Sequence, residues 1–175
     1  RQMCIRDSDR AVNKEFKDID IFLNNFQQSL YQLQHAKFPV VSCPSGLAIG
    51  GGYEVISQTS FIAAHSNSVL GLVESLVGLI PAGGGCKEML RRWANHSEIK
   101  NDPKKLSLKV FNLIGYATTT DSPIKAKAQQ FLGEQDIMVM SKDRLIEEAD
   151  NIIFSNKENY QSLDSATFSL PGSTA

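Results

Sequence analysis

The chain has 175 residues, 42% hydrophobic and 21% charged, a length and balance that suit one globular domain with a sizeable core and exclude a largely disordered chain. Eighteen Lys and Arg against 19 Asp and Glu leave a net charge of −1, so no global field favours a nucleic-acid backbone or an anionic membrane as partner. Cys4, Cys43 and Cys86 are odd in number and widely spaced, no apolar run approaches the roughly 18 residues of a membrane span, and no signal-peptide order opens the chain, so a reducing, cytoplasmic location is expected.

Residues 1–8, RQMCIRDS, start without Met and carry no apolar periodicity, and are set apart as a leader that need not be native. From Phe16 to Ala36 apolar residues recur at Phe16, Ile19, Phe22, Leu23, Phe26, Leu30 and Leu33, the three- and four-residue spacing of one helical face. Pro39 ends that pattern. Val40, Val41 and Cys43, bounded by Pro39 and Pro44, read as a short buried strand. GLAIGGG follows as an apolar strand running into a glycine turn and a helix start, and Ser60–Ala64 and Val69–Leu72 are two further short strands. Helical patterns occupy Cys86–Ala94, Pro103–Ile114, Ile124–Leu132 and Lys142–Phe154. Short buried strands interleaved with helices predict an α/β class with a helix-rich second half. Residues 161–175, rich in Ser, Thr, Gly and Pro, read as a flexible tail or linker.

The chemistry lies between Pro44 and Cys86. Gly50, Gly51 and Gly52 open a helix where backbone N–H groups lack intrahelical acceptors, and glycines let a ligand carbonyl approach them closely, which is the physical basis of an oxyanion hole. A phosphate loop is excluded because Tyr53 and Glu54 stand where Lys and Ser or Thr are required, and GLAIGGG does not meet the dinucleotide pattern. A bare glycine run is equally a structural turn. Glu54, in the first turn of that helix, and Glu74, inside the apolar run Val69–Ile80, sharpen the reading, because a carboxylate in an apolar run is costly without a role. Either alone is more readily a cap or a solvated side chain than a catalytic group. Converging on one water, they divide acid and base duties.

GLAIGGGYE followed by AAHSNSVLGLVESLVGLIPAGGG resembles the enoyl-CoA hydratase/isomerase (crotonase) family, whose signature is a Gly-Gly-Gly-x-Glu turn, a second Glu and a Gly-Leu-Ile-Pro-x-Gly-Gly-Gly segment. The stretches GCKEMLRRW, KVFNLIG and FLGEQDIMVMSKDRL resemble the hydratase part of bacterial proteins that also carry a 3-hydroxyacyl-CoA dehydrogenase. The resemblance implies a crotonase-like ββα spiral fold over residues 9–160 and a lyase adding water to trans-2-enoyl-CoA in fatty-acid β-oxidation. Glu54 and Glu74 would be catalytic, Gly51 would supply an oxyanion N–H, and Gly50, Leu47 and Ala82 would contact substrate. It implies an acyl-CoA substrate, no cofactor in this segment, NAD only for a fused dehydrogenase domain, and a homo-oligomer when complete.

The family's other oxyanion donor lies upstream of the helix corresponding to Phe16–Ala36 and has no counterpart here. The chain is therefore expected to be the later part of a domain, N-terminally truncated and inactive by itself. Tyr53 replaces a small residue and is expected to narrow the acyl pocket. Retention of both carboxylates favours hydration over the isomerase alternative, and a non-catalytic remnant with an assembly role is the reading from another class. Elsewhere, seven Lys and Arg against three acidic residues in Lys87–Lys109 fit CoA phosphates or a solvated surface, Trp93 reads as a packing anchor, and Gly83–Gly85 as tight packing without chemistry. His35, His65 and His96 lack ligand spacing, and no metal site is expected.

Overall fold

A computed structural model describes residues 8–99, 102–164, 167–168 and 170–172; the proposed leader lies outside it except for Ser8. After a short helical stretch at residues 8–12, helix α1 spans Phe16–Gln34, as the apolar spacing predicts. The stripe is half-buried from Ile19 onward and fully buried at Leu30, whereas Phe16 is 64% exposed.

Among the described residues, six short strands form two three-stranded sheets. Strands β1 (Val41–Ser42), β3 (Phe61–His65) and β6 (Ile137–Val139) make one, parallel throughout, in the order β1-β3-β6. In the other, β2 (Leu47–Ile49) pairs in parallel with β4 (Val69–Gly71), and β4 pairs antiparallel with β5 (Thr119–Thr120). Helix α2 (Gly51–Ser57) follows β2 after a single residue, and a 3-10 turn (Glu74–Val77) follows β4.

Helices then dominate. Helix α3 spans Gly85–Ala94 and α4 spans Pro103–Gly115, the latter started by Pro103 and by the Asp102 side chain accepting the Lys105 N–H at 2.9 Å. Helix α5 (Pro123–Ala128) starts the same way, on the Ser122 hydroxyl. A 3-10 turn at Lys142–Arg144 leads into α6 (Leu145–Asn156). The main core joins Ile62, Leu70, Leu72, Met89, Trp93 and Phe131 with the inner face of α4, and a smaller cluster of Ala63, Val139 and Leu145 sits under α6.

The helix expected over Ile124–Leu132 stops at Ala128. Gln130 takes a left-handed backbone (φ 58°), turning Phe131 and Leu132 into the core instead of along a helical face. Strands β5 and β6 carry no sequence expectation, being two and three residues long. In the region read as a tail, Leu163 accepts a 2.6 Å hydrogen bond at its carbonyl from His35 Nδ1, and Leu170 rests beside α3 and α4; the rest of residues 165–175 is described only at 167, 168, 171 and 172.

Candidate active site

The parallel pairing of β2 with β4 brings the two glutamates together. Ile49 is the register partner of Gly71, so the chain leaves both strands at the same sheet edge. Five residues beyond Ile49 stands Glu54, and three beyond Gly71 stands Glu74. Side chains that follow the carboxyl ends of parallel strands share the crevice there, the usual ligand position of open α/β sheets.

Gly50 makes the turn. Its N–H donates to the Gly71 carbonyl at 2.8 Å, tying the turn to β4, and its φ of 58° is a conformation that side-chain-bearing residues rarely adopt. A Cβ there would stand 3.1 Å from Glu74 Oε1, so glycine is needed for the carboxylate as well as for the backbone. Gly51 is the first residue of α2, and its N–H precedes any intrahelical acceptor.

Glu54 is 2% exposed. Its Oε1 accepts the Gly85 N–H at 2.9 Å, at the start of α3. A Cβ on Gly83 would lie 2.8 Å from Glu54 Oε2, and one on Gly85 3.1 Å from Oε1, so the second glycine run is a backbone cradle for this carboxyl. Burial raises the proton affinity of Glu54 most strongly, the Gly85 N–H counters it, and the charge of Glu74 raises it again, to a pKa of about 7. Glu74 is 5% exposed, and neither of its oxygens makes a hydrogen bond of good geometry among the described residues; burial raises its pKa, opposed in part by the nearby backbone N–H groups of Glu74 and Val73. Burial thus raises the proton affinity of both carboxyls, the kind of environment that general acid and base work draws on.

The remaining expected residues differ in exposure. Leu47 begins β2 and is 75% exposed. Ala82 is half-buried, and its carbonyl accepts from Gln27 Nε2 of α1 at 2.6 Å. Tyr53 does not narrow a pocket. It is fully buried, edge-on to Phe131 with ring centroids 4.9 Å apart, and its hydroxyl donates to the Phe131 carbonyl at 3.0 Å. One helical residue is about 100° of rotation, so Tyr53 enters the core while Glu54 faces the second glycine run.

Gly83–Gly85, assigned no chemistry from sequence, belong to the site. Their signal was present in the chain: like Gly50–Gly52, they stand directly ahead of a helical pattern. The basic residues of α3 are engaged internally. Glu88, fully buried, takes Arg91 at 2.5 Å and Arg92 at 2.7 Å; burial alone would raise its pKa, and the two guanidiniums override that and hold it low. Arg92 also donates to the carbonyls of Ser57 and Phe131 at 3.2 and 3.0 Å, locking α3 to the end of α2. Lys109 lies over the ring of buried Trp93, 4.3 Å from its centroid. Among the described residues no cluster of His, Cys, Asp and Glu is arranged to hold a metal, and no helix is long and apolar enough to cross a membrane.

Comparison with known proteins fits this geometry. The sequence profile of the family described as enoyl-CoA hydratase/isomerase matches residues 6–101, which contain both glycine runs and both glutamates. A Bacillus subtilis protein named "Probable 3-hydroxyacyl-CoA dehydrogenase" is 34% identical over 140 residues, 80% of this chain and 17% of that protein. A Rickettsia felis protein named for a fatty acid oxidation complex trifunctional enzyme is 33% identical over 146 residues, 81% of this chain and 19% of that protein. The chain thus spans less than a fifth of the length of either relative. The crystal structure of an enoyl-CoA hydratase from Bacillus anthracis superposes with a TM-score of 0.63 at 21% identity, over 79% of this chain and 47% of that one, and shows the same fold. By sequence profile and by fold, this chain belongs to the enoyl-CoA hydratase/isomerase family.

Proposed function

We propose that Glu54 and Glu74 hydrate a trans-2-enoyl-CoA thioester. The observation that carries this reading is the pair of buried carboxyls at the ends of adjacent parallel strands, with neither oxygen of Glu74 satisfied by the described residues. A buried carboxyl without partners is costly unless water or substrate completes it.

In the reaction, Glu54, oriented by the Gly85 N–H, accepts a proton from water as the water oxygen bonds to the β carbon. The π electrons move toward the thioester, whose oxygen gains negative charge and is stabilised by the N–H of Gly51. Glu74 delivers its proton to the α carbon, and transfer between the carboxyls restores the starting state. Water is consumed and no redox partner is needed. Gly50 leaves room for Glu74, while Leu47 and Ala82 border the thioester. The working protein is a cytoplasmic homo-oligomer in which this segment accompanies a dehydrogenase portion that uses NAD. Support for that context is the names of the two relatives and the small share of each that this chain spans.

The test is turnover of crotonyl-CoA, followed by loss of the enoyl thioester's ultraviolet absorbance, in the complete gene product. Glu54→Gln and Glu74→Gln should each lower kcat about 10²-fold or more with little change in KM. Variants that hydrate at near wild-type rates would overturn the assignment.

A further inference from the structure

A cavity of about 310 Å³ lies between α1, the end of α2 and the glycine turn ahead of α3. Gln27 and Gln28 line it from α1, Gln58 from the end of α2, Gly83 and Gly84 from the turn, and Lys87 from α3. Its polar groups keep hydrogen-bonding capacity. Gln27 gives one amide proton to the Ala82 carbonyl at 2.6 Å, and Lys87 one ammonium proton to Gln34 Oε1 at 2.9 Å, which leaves further donors on each and the Gln27 side-chain oxygen as an acceptor. The Gln28 side chain makes no hydrogen bond among the described residues. A water molecule takes about 30 Å³ in the liquid and settles where about two to four polar groups meet it, so this cavity has the room and the partners for several waters.

The turn that borders this cavity is the one that holds Glu54. Oε1 of that carboxyl accepts the Gly85 N–H, the N–H groups of Gly83 and Gly84 lie close enough to oppose the rise in its pKa, and Oε2 is 2.8 Å from where a Cβ on Gly83 would stand. Only two residues without side chains therefore stand between the cavity and the carboxyl, and the Phe26 ring of α1 packs on the first of them. None of Leu47, Gly51 and Ala82, the residues assigned to the thioester, lines the cavity. It approaches Glu54 from another direction. The larger cavity of about 540 Å³ is polar as well, but no residue of the turn lines it.

We infer that this cavity is a water site that serves Glu54 from the side of α1, so that the water consumed in hydration reaches the carboxyl, and in the reverse direction leaves it, without passing the bound thioester. The inference rests on the hydratase reading and goes beyond it by giving the second substrate a site of its own. A thioester seated against the Gly51 N–H excludes solvent from that approach, yet every turnover consumes one water. A wet cavity one backbone turn away supplies it, and the bare glycines leave no side chain but Phe26 to obstruct the passage.

The experiment follows the water backwards in the complete gene product. The substrate is 3-hydroxybutyryl-CoA with a heavy-oxygen label in its hydroxyl. In dehydration the bond from the β carbon to oxygen breaks, the hydroxyl takes a proton from Glu54 and leaves as water, and the α-carbon proton passes to Glu74. While the enoyl thioester stays bound, that water either adds back with its label or exchanges with solvent through the cavity, and an unlabelled water adds in its place. The readout, by mass spectrometry, is the label lost from remaining substrate per enoyl-CoA released. Gln28→Trp, which fills the cavity from the exposed side of α1, should lower this ratio about tenfold and leave the affinity for butyryl-CoA unchanged. Gln32→Trp, on the same helix but outside the cavity, should change neither. A crystal structure of the same protein should show ordered water against Gln27, Gln28 and Lys87. An unchanged ratio in Gln28→Trp, or a dry cavity, would overturn the water route and leave the hydratase reading in place. Ordered water in a gene product that neither hydrates crotonyl-CoA nor dehydrates 3-hydroxybutyryl-CoA would refute the hydratase reading, and the supply role with it, while keeping the water site.

Discussion

Glu54→Gln should change how stability depends on pH, whether or not the chain turns over substrate. In the unfolded chain a glutamate releases its proton near pH 4.5, whereas folded Glu54 holds it to about pH 7. Folding therefore takes up a proton between those values, and the contribution of this carboxyl to stability falls as pH rises through that window. At about 1.36 kcal/mol per tenfold change in proton affinity, the wild type loses on the order of 3 kcal/mol between pH 4 and pH 8 from this group. The glutamine side chain of the variant carries no such penalty and keeps an amide oxygen for the Gly85 N–H. The variant should match the wild type near pH 4 and exceed it by roughly 3 kcal/mol at pH 8. Some further gain comes from Glu74, whose charge is no longer opposed by a neighbour. Urea unfolding at closely spaced pH values measures the two curves. Parallel curves from pH 4 to pH 8 would refute the claim that burial holds the proton on Glu54.

Three other substitutions test the packing described above. Gly83→Ala should cost about 1–3 kcal/mol in thermal unfolding, because the new methyl meets Glu54 Oε2 and the Phe26 ring, whereas Gly52→Ala, with nothing within 4 Å among the described residues, should be stabilising by about 0.4–1 kcal/mol; equal effects would deny that the second glycine run is sterically required. Arg92→Met should cost about 3 kcal/mol or more in the same assay by leaving buried Glu88 with Arg91 and the Gln34 amide and by removing the bonds to Ser57 and Phe131, and a loss under about 1 kcal/mol would remove Arg92 from the account of how α3 is fixed.

The parts of the site legible in sequence were those with a residue-type signature. Glycines ahead of a helix and an acid within an apolar run single out Gly50–Gly52, Glu54 and Glu74 as candidates, and the family resemblance gives them roles. The partnership between the carboxyls was different: it depends on Ile49 pairing with Gly71, a register that no local pattern encodes. The role of Gly85 was hidden because a backbone N–H looks the same in every residue that has one. Tyr53 misled because its bulk was considered without its direction on the helix. Strand β6 passed unread because Asp136, just before it, is tied to the Ile62 and Gly133 N–H groups by tertiary contacts that three residues of periodicity cannot announce.

Helix α3 is gripped at two points about two turns apart. Gly85 holds the Glu54 carboxyl, and seven residues later Arg92, held within the helix by Glu88, reaches back to the end of α2. Sliding the helix or rotating it about its axis to improve one grip would break the other. A residue inserted or deleted between Gly85 and Arg92 would swing the second grip by about 100° relative to the cradle. Variation in descendants of this sequence should therefore be confined here to substitution, with changes of length displaced to the connection between α3 and α4, which lies beyond both grips.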